Sequence, residues 1–138
     1  MTCLDLFSGT GSLGLESLSR GAHKVTFVEK NFEHFDKLKS YIEKLNATEE
    51  ISIINKDVLA WLDEANDEFD LIFVDPPFYE TLAEKVLLKI KRNSLLAKSG
   101  NIYLEVEKDL DLSFLEKNWE VIKETNSGRK QYLLLKEK

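Results

Sequence analysis

Between Thr2 and Val106 the chain repeats one rhythm, in which a short apolar or β-branched run stops at turn residues and a segment of helical periodicity follows. Thr2 to Phe7 (TCLDLF) ends at Ser8-Gly9-Thr10-Gly11, and a helix is expected from about Ser12 to Arg20, closed by Gly21. Lys24 to Glu29 (KVTFVE) reads as a second strand, and Phe32, Phe35, Leu38, Ile42 and Leu45 then recur at spacings of three and four. Ile51 to Ile54 gives a third strand, Val58 to Leu62 a short helix, and Asp70 to Val74 (DLIFV) a fourth strand. Asp75-Pro76-Pro77 halts that strand, because proline donates no ladder hydrogen bond. Leu82, Val86, Leu87 and Ile90 mark a further helix, Gly100 is expected to close it, and Asn101 to Val106 (NIYLEV) is a fifth strand.

Strands alternating with helices at this spacing imply right-handed crossovers onto a parallel sheet covered by helices on both faces. The tail breaks the rhythm. Trp119 to Glu124 and Gln131 to Lys136 are strand-like runs separated by Thr125-Asn126-Ser127-Gly128, which predicts a terminal antiparallel hairpin.

The 138 residues, 43% of them hydrophobic, suffice for a single core in one domain spanning 1–138. No apolar run approaches the roughly 20 residues a membrane span needs, and no export signal is visible, so a cytoplasmic protein without a membrane partner is expected. Cys3, the single cysteine, is expected as a small buried residue of the first strand. Nineteen basic against twenty-five acidic residues give a net charge of -6, which argues against gripping nucleic acid mainly by phosphate neutralisation unless basic residues gather on one face.

Gly9, Gly11 and Gly14 form G-x-G-x-x-G between a predicted strand and a predicted helix, where absent side chains let backbone amides approach a ligand. Glu29 follows Gly9 by twenty residues, at the end of the second strand, where a carboxylate can accept from two ribose hydroxyls. The pair implies an adenosine-type cofactor and does not separate NAD from S-adenosylmethionine. Two neighbours favour the latter. Asp5, an acid inside the first strand, could hold the cationic amino group of the cofactor's methionine part, directly or through water. Asp57, after the third strand, could accept from the adenine amino group, or serve only as the N-cap of the next helix.

Asp75-Pro76-Pro77-Phe78 is placed on the same carboxyl-end edge of the sheet as the glycine turn. An exocyclic amine on a nucleobase is a poor nucleophile, because its lone pair is delocalised into the ring. The Asp75 carboxylate and the Pro76 carbonyl can accept its two protons and favour charge build-up on nitrogen. The two prolines hold both acceptors in place. Phe78 can stack on the extruded base, and Tyr79 can line its pocket. No metal is required by such a transfer.

With these residues in view, the chain resembles the bacterial small-subunit (16S) ribosomal RNA guanine-N2 methyltransferase family. The resemblance rests on Asp5-Leu-Phe-Ser-Gly-Thr-Gly-Ser-Leu-Gly-Leu-Glu16, Ser17-Leu-Ser-Arg-Gly-Ala22, Phe27-Val-Glu29 and Phe73-Val-Asp-Pro-Pro-Phe78, and covers nearly the whole chain. It implies the Rossmann-like class I methyltransferase fold, a mostly parallel seven-stranded sheet with an antiparallel last strand. It implies S-adenosylmethionine as cofactor, with S-adenosylhomocysteine as product, held around Asp5, Phe7, Ser8, Gly9, Thr10, Gly11, Gly14, Glu29, Lys30, Asp57, Val58 and Asp75. It further implies ribosomal RNA as partner, free or in a partly assembled small subunit, a target guanine received by Asp75, Pro76, Pro77 and Phe78, and a monomeric enzyme. Members of that family carry a basic, Arg-containing segment ahead of the first strand; here Met1 nearly abuts the strand, so this chain is expected to lack that extension.

Adenine-N6 methylation of DNA or RNA is the alternative within the same chemistry. A cofactor-binding module without turnover is another, and an NAD-linked oxidoreductase would leave Asp75 to Phe78 idle. His23 and His34 lack a partner at metal-ligand spacing and read as surface residues. Trp61 and Trp119 read as packing residues. Lys89, Lys91, Arg92, Arg129 and Lys130 could contact phosphates, although scattered basic residues usually only solvate a surface.

Overall fold

The computed structural model describes residues 1–77 and 81–138. Seven strands form one sheet: β1 (Thr2–Leu6), β2 (Lys24–Val28), β3 (Glu50–Ile54), β4 (Phe69–Val74), β5 (Leu96–Glu107), β6 (Trp119–Ser127) and β7 (Lys130–Glu137). The crossovers carry α1 (Ser12–Ser19), α2 (Phe32–Leu45), α3 (Val58–Glu64) and α4 (Leu82–Arg92). The strand order is β3-β2-β1-β4-β5-β7-β6. β1 to β5 pair in parallel, and β7 runs antiparallel between β5 and the edge strand β6. This is the mostly parallel class I methyltransferase sheet that the sequence led us to expect.

The topology creates the site. The chain winds outward from β1 to β3, then returns to β4 on the other side of β1, so strand order reverses between β1 and β4. Leu6 pairs with both Val28 and Val74, Val28 with Ile54, and Val74 with Leu104. The strands therefore end level, and the segments that follow them emerge side by side above the switch point, where open α/β sheets bind ligands.

Strand alternation assigns the two cores. Leu4, Leu6, Ile72, Val74, Ile102 and Leu104 face α3 and α4, whose Leu62, Val86 and Ile90 are buried against them. Cys3, Val25, Phe27 and Phe73 point the other way, toward Leu38 of α2 and the apolar residues of α1. Cys3 is buried, as expected, and burial pushes its thiol pKa up. Trp119 is buried, and the Trp61 ring packs tilted by 51° near Phe69 with ring centroids 6.5 Å apart. Of the apolar stripe predicted for α2, Leu38 is buried, whereas Phe32 and Leu45, at the helix ends, stay exposed.

The expectation that Gly100 closes the fourth helix is corrected. α4 ends at Arg92, and Ser94, in the left-handed region at φ 53, turns the chain so that the Leu95 amide reaches the Ile90 carbonyl at 3.0 Å. Gly100 instead lies inside β5, where the pairing shifts register between Phe69 and Leu71. A methyl group there would stand 2.9 Å from the Asp70 carbonyl oxygen and 3.0 Å from that of Ala97. Close backbone approach, not a helix end, calls for the glycine. The terminal hairpin forms, but Thr125 to Ser127 belong to β6, and the reversal is made at Gly128 and Arg129.

Candidate active site

The turn after β1 is built by its own short side chains. Phe7 takes a left-handed conformation at φ 59, which in a residue other than glycine costs about 1 kcal/mol or more. The surroundings hold it there. The Ser8 hydroxyl donates to the Asp5 carbonyl at 2.7 Å, with the Val28 carbonyl 3.1 Å away; the Ser8 amide donates to the same Val28 carbonyl, and the Gly11 amide to the Ser8 carbonyl at 2.7 Å. The turn thus joins β1 to the end of β2.

Gly9 and Gly14 answer different demands. Gly9 is left-handed at φ 54, and a methyl group on it would meet nothing within 4 Å. Gly14 has an ordinary φ, but a methyl group there would stand 2.2 Å from Phe27 Cε1. Its absence lets α1 lie close against the sheet. Asp5, 2% exposed, accepts the Gly14 amide at 3.0 Å; burial first of all pushes its carboxyl up to about 7. Thr10 is exposed, its hydroxyl 3.0 Å from that of Ser12.

Two acids follow β2 and β3. Glu29 accepts the Gly9 amide at 2.5 Å and the Asn31 amide at 2.7 Å, which ties the glycine turn to the start of α2. The Asn55 side-chain amide donates to the carbonyls of Glu29 and Lys30 at 2.9 and 3.0 Å, so the segment after β3 braces the one after β2. Asp57 caps α3 by accepting the Ala60 amide at 3.2 Å, and its other oxygen lies 4.0 Å from Lys30 Nζ. The cap and the cavity-facing carboxylate are therefore the same residue.

These segments enclose a cavity of about 720 Å³. Of the residues singled out in the sequence, Phe7, Glu29, Lys30, Asp57, Val58, Asp75, Pro76 and Pro77 line it. Asp5, Ser8, Gly9, Thr10, Gly11 and Gly14 lie outside that lining and shape the turn beside it. Phe78 and Tyr79 lie outside the described residues.

The lining also includes Asn31, His34, Leu59, Leu82 and Lys130, which sequence reasoning did not assign to the site. His34 is exposed, as expected, yet stands at the cavity because the Asn31 side chain caps α2 through the His34 amide at 3.0 Å. An Asn one turn before a helical His was the available signal.

Asp75 does not stand in isolation. Lys130 Nζ lies 3.8 Å from Asp75 Oδ1 and 3.1 Å from Glu105 Oε1. Burial and then the charge of Glu105 push the Asp75 carboxyl up to about 6, while Lys130 opposes them. Of the other basic residues considered for phosphate, Lys89 and Arg92 pair with Asp63, and Lys91 pairs with Glu137 at 2.8 Å.

The chain is 40% identical over 135 residues to a Haemophilus influenzae protein named ribosomal RNA small subunit methyltransferase D, covering 96% of this chain and 69% of the relative. The protein of the same name from Escherichia coli strain K12 is 33% identical over 132 residues, covering 96% and 66%. A crystal structure of a candidate methylase from Haemophilus influenzae superposes with a TM-score of 0.88 at 39% identity, covering 97% of this chain and 84% of that one. A ribosomal protein L11 methylase from Lactobacillus delbrueckii, at 22% identity and a TM-score of 0.79, shares the fold. Residues 1–136 match the family described as Conserved hypothetical protein 95, and the chain belongs to that family.

Proposed function

We propose that this chain transfers a methyl group from S-adenosylmethionine to the exocyclic N2 amine of a guanine in small-subunit (16S) ribosomal RNA, releasing S-adenosylhomocysteine. The observation that carries the reading is that Asp75 and Pro76 share one cavity with Glu29 and Asp57. An amine-orienting pair thus faces an adenosine-binding pair across a single space. Relatives named ribosomal RNA small subunit methyltransferase D support the substrate class.

The residues suit this cofactor. Glu29 keeps lone pairs for ribose hydroxyls beyond the two amides it already accepts. Asp57 offers an acceptor to the adenine amine, and Phe7 and Val58 supply apolar wall. Asp5, buried beneath the turn, offers its charge to the ammonium of the methionine part, directly or through water. When bound, S-adenosylmethionine supplies a methyl group already activated by its sulfonium. The protein's task is then alignment and exclusion of water. The Asp75 carboxylate and Pro76 carbonyl accept hydrogen bonds from the two amine N–H groups, directing the nitrogen lone pair into the cavity. As positive charge builds on nitrogen, the Asp75 carboxylate stabilises it and is placed to take the departing proton.

The test is to incubate the chain with tritiated S-adenosylmethionine and small-subunit RNA, free or in partly assembled subunits, and to identify the labelled nucleoside. N2-methylguanosine is the expected product. N6-methyladenosine overturns the choice of base. Calorimetric binding of S-adenosylhomocysteine with no labelled nucleoside on either substrate replaces the enzyme with a binding module, and binding of NADH in its place refutes the cofactor.

A further inference from the structure

Two charged side chains stand against Asp75 without a part in the reaction as derived above. Glu105 follows Leu104, the β5 partner of Val74, so the strand pleat turns it to the same face as Phe73 and Tyr103, beneath the departure of Asp75. Lys130 opens β7 opposite Glu107, and its stem crosses diagonally to Glu105. Its ammonium lies 3.1 Å from Glu105 Oε1 and 3.8 Å from Asp75 Oδ1, and the two carboxyl groups are within hydrogen-bond reach of each other. The Glu105 side chain is 13% exposed, against about a third for Lys130 and Asp75. The cluster is closed toward the sheet and open toward the cavity, which Lys130 and Asp75 both line.

A cross-strand ion pair serving only the β5–β7 pairing needs two partners and adds little when partly exposed. This one recruits a third group, the acceptor on the proline loop. We propose that Glu105 and Lys130 are positioning residues for Asp75: gripping its carboxyl from β5 and β7, they fix the direction in which it accepts the nucleobase amine, and the Lys130 ammonium favours its charged, accepting form. The inference rests on the functional reading above and extends it to residues of two strands that carry neither motif.

The electrostatics are consistent with the geometry. Glu105 acts on Asp75 to raise its pKa and Lys130 to lower it, after burial. The other charged or titratable groups facing this cluster are Tyr103 of β5, Tyr132 of β7 beside Lys130, Asp5 of β1 and, more remotely, Glu29 after β2. Substitutions at the two gripping residues should therefore move Asp75 in opposite directions, an effect that loss of hairpin stability would not produce.

The experiment uses the whole chain with ¹³C-labelled aspartate carboxyls, titrated by NMR as wild type, Glu105→Gln, Lys130→Met and Lys130→Arg. The pH profile of kcat/KM for methyl transfer to small-subunit RNA is measured beside it. Glu105→Gln is expected to move both the Asp75 midpoint and the acidic limb of the profile down, and Lys130→Met to move both up, each by about 0.5 to 1 pH unit. Lys130→Arg, which keeps the charge, should return both toward wild type. Coincident Asp75 titrations in all four proteins overturn the inference, as do shifted titrations over an unmoved acidic limb. A wild-type chain that methylates no base overturns the functional reading, and the catalytic meaning of the cluster with it, even where the titrations shift.

Discussion

Asp5 Oδ2 accepts the Gly14 amide at 3.0 Å, so the interior of β1 holds the first turn of α1 from beneath the glycine turn. Burial pushes this carboxyl from the usual 3.8 up to about 7, with the Gly14 hydrogen bond opposing. The folded chain therefore binds this proton more tightly than the unfolded chain does. The contribution to stability is fully present below about pH 4 and is lost as pH rises through about 7, a difference on the order of 4 kcal/mol. Asp5→Asn keeps an acceptor for Gly14 and cannot ionise. Urea unfolding of both proteins from pH 4 to 8 should show the variant gaining on wild type as pH rises; parallel curves contradict the burial argument.

The glycine turn makes a second, ordered prediction. Gly9→Ala meets open space and carries only the left-handed backbone penalty of about 1–2 kcal/mol. Gly14→Ala gains helix propensity, but it drives a methyl into the fully buried ring of Phe27, an overpacking cost of about 1–3 kcal/mol in a core that cannot relax. Thermal unfolding should rank Gly14→Ala as at least as destabilising as Gly9→Ala, and circular dichroism should show helix loss only in the former. The reverse ranking means that α1 can lift from the sheet at little cost.

How much of this was readable in the sequence depends on how local each signal is. The β–α alternation and both motifs are read over a few neighbouring residues, and the sheet order places them together without further information. Gly100 was misassigned because a glycine after a helical stretch resembles a cap, whereas its reason lies across the sheet, in the Asp70 carbonyl. Glu105 drew no role from the sequence, and Lys130 was weighed only as a phosphate contact. Only the antiparallel insertion of β7 beside β5 brings them to Asp75. His34 went unassigned for the same reason, since its place at the cavity follows from how α2 leaves β2.

Gly100 supports a prediction of its own. A new methyl there would meet Leu96 Cδ1 at 2.8 Å, a side-chain atom that can swing aside, and the backbone oxygens of Asp70 and Ala97 at 2.9 and 3.0 Å, which cannot. Gly100→Ala should cost about 2 kcal/mol or more and raise amide exchange along β4 and β5. Near-wild-type stability with unchanged exchange would falsify the close approach.

Glu29 and Asp75 line the same cavity, yet their substitutions should separate cleanly. Glu29 holds the amides of Gly9 and Asn31, so Glu29→Ala removes the group that orders the cofactor end and loosens the turn with it. S-adenosylhomocysteine affinity should fall by roughly a hundredfold, about 2.7 kcal/mol, which is the range for losing hydrogen bonds to a charged group. Asp75 meets the amine instead. Asp75→Ala should leave that affinity within about threefold and lower kcat by a factor on the order of 10² or more, as expected where an acceptor acts mainly on charge developing in the transition state. Calorimetry and single-turnover methylation of small-subunit RNA read the two effects independently. If Asp75→Ala weakens the cofactor while Glu29→Ala slows transfer at saturating cofactor, the two ends of the cavity have been assigned the wrong way round.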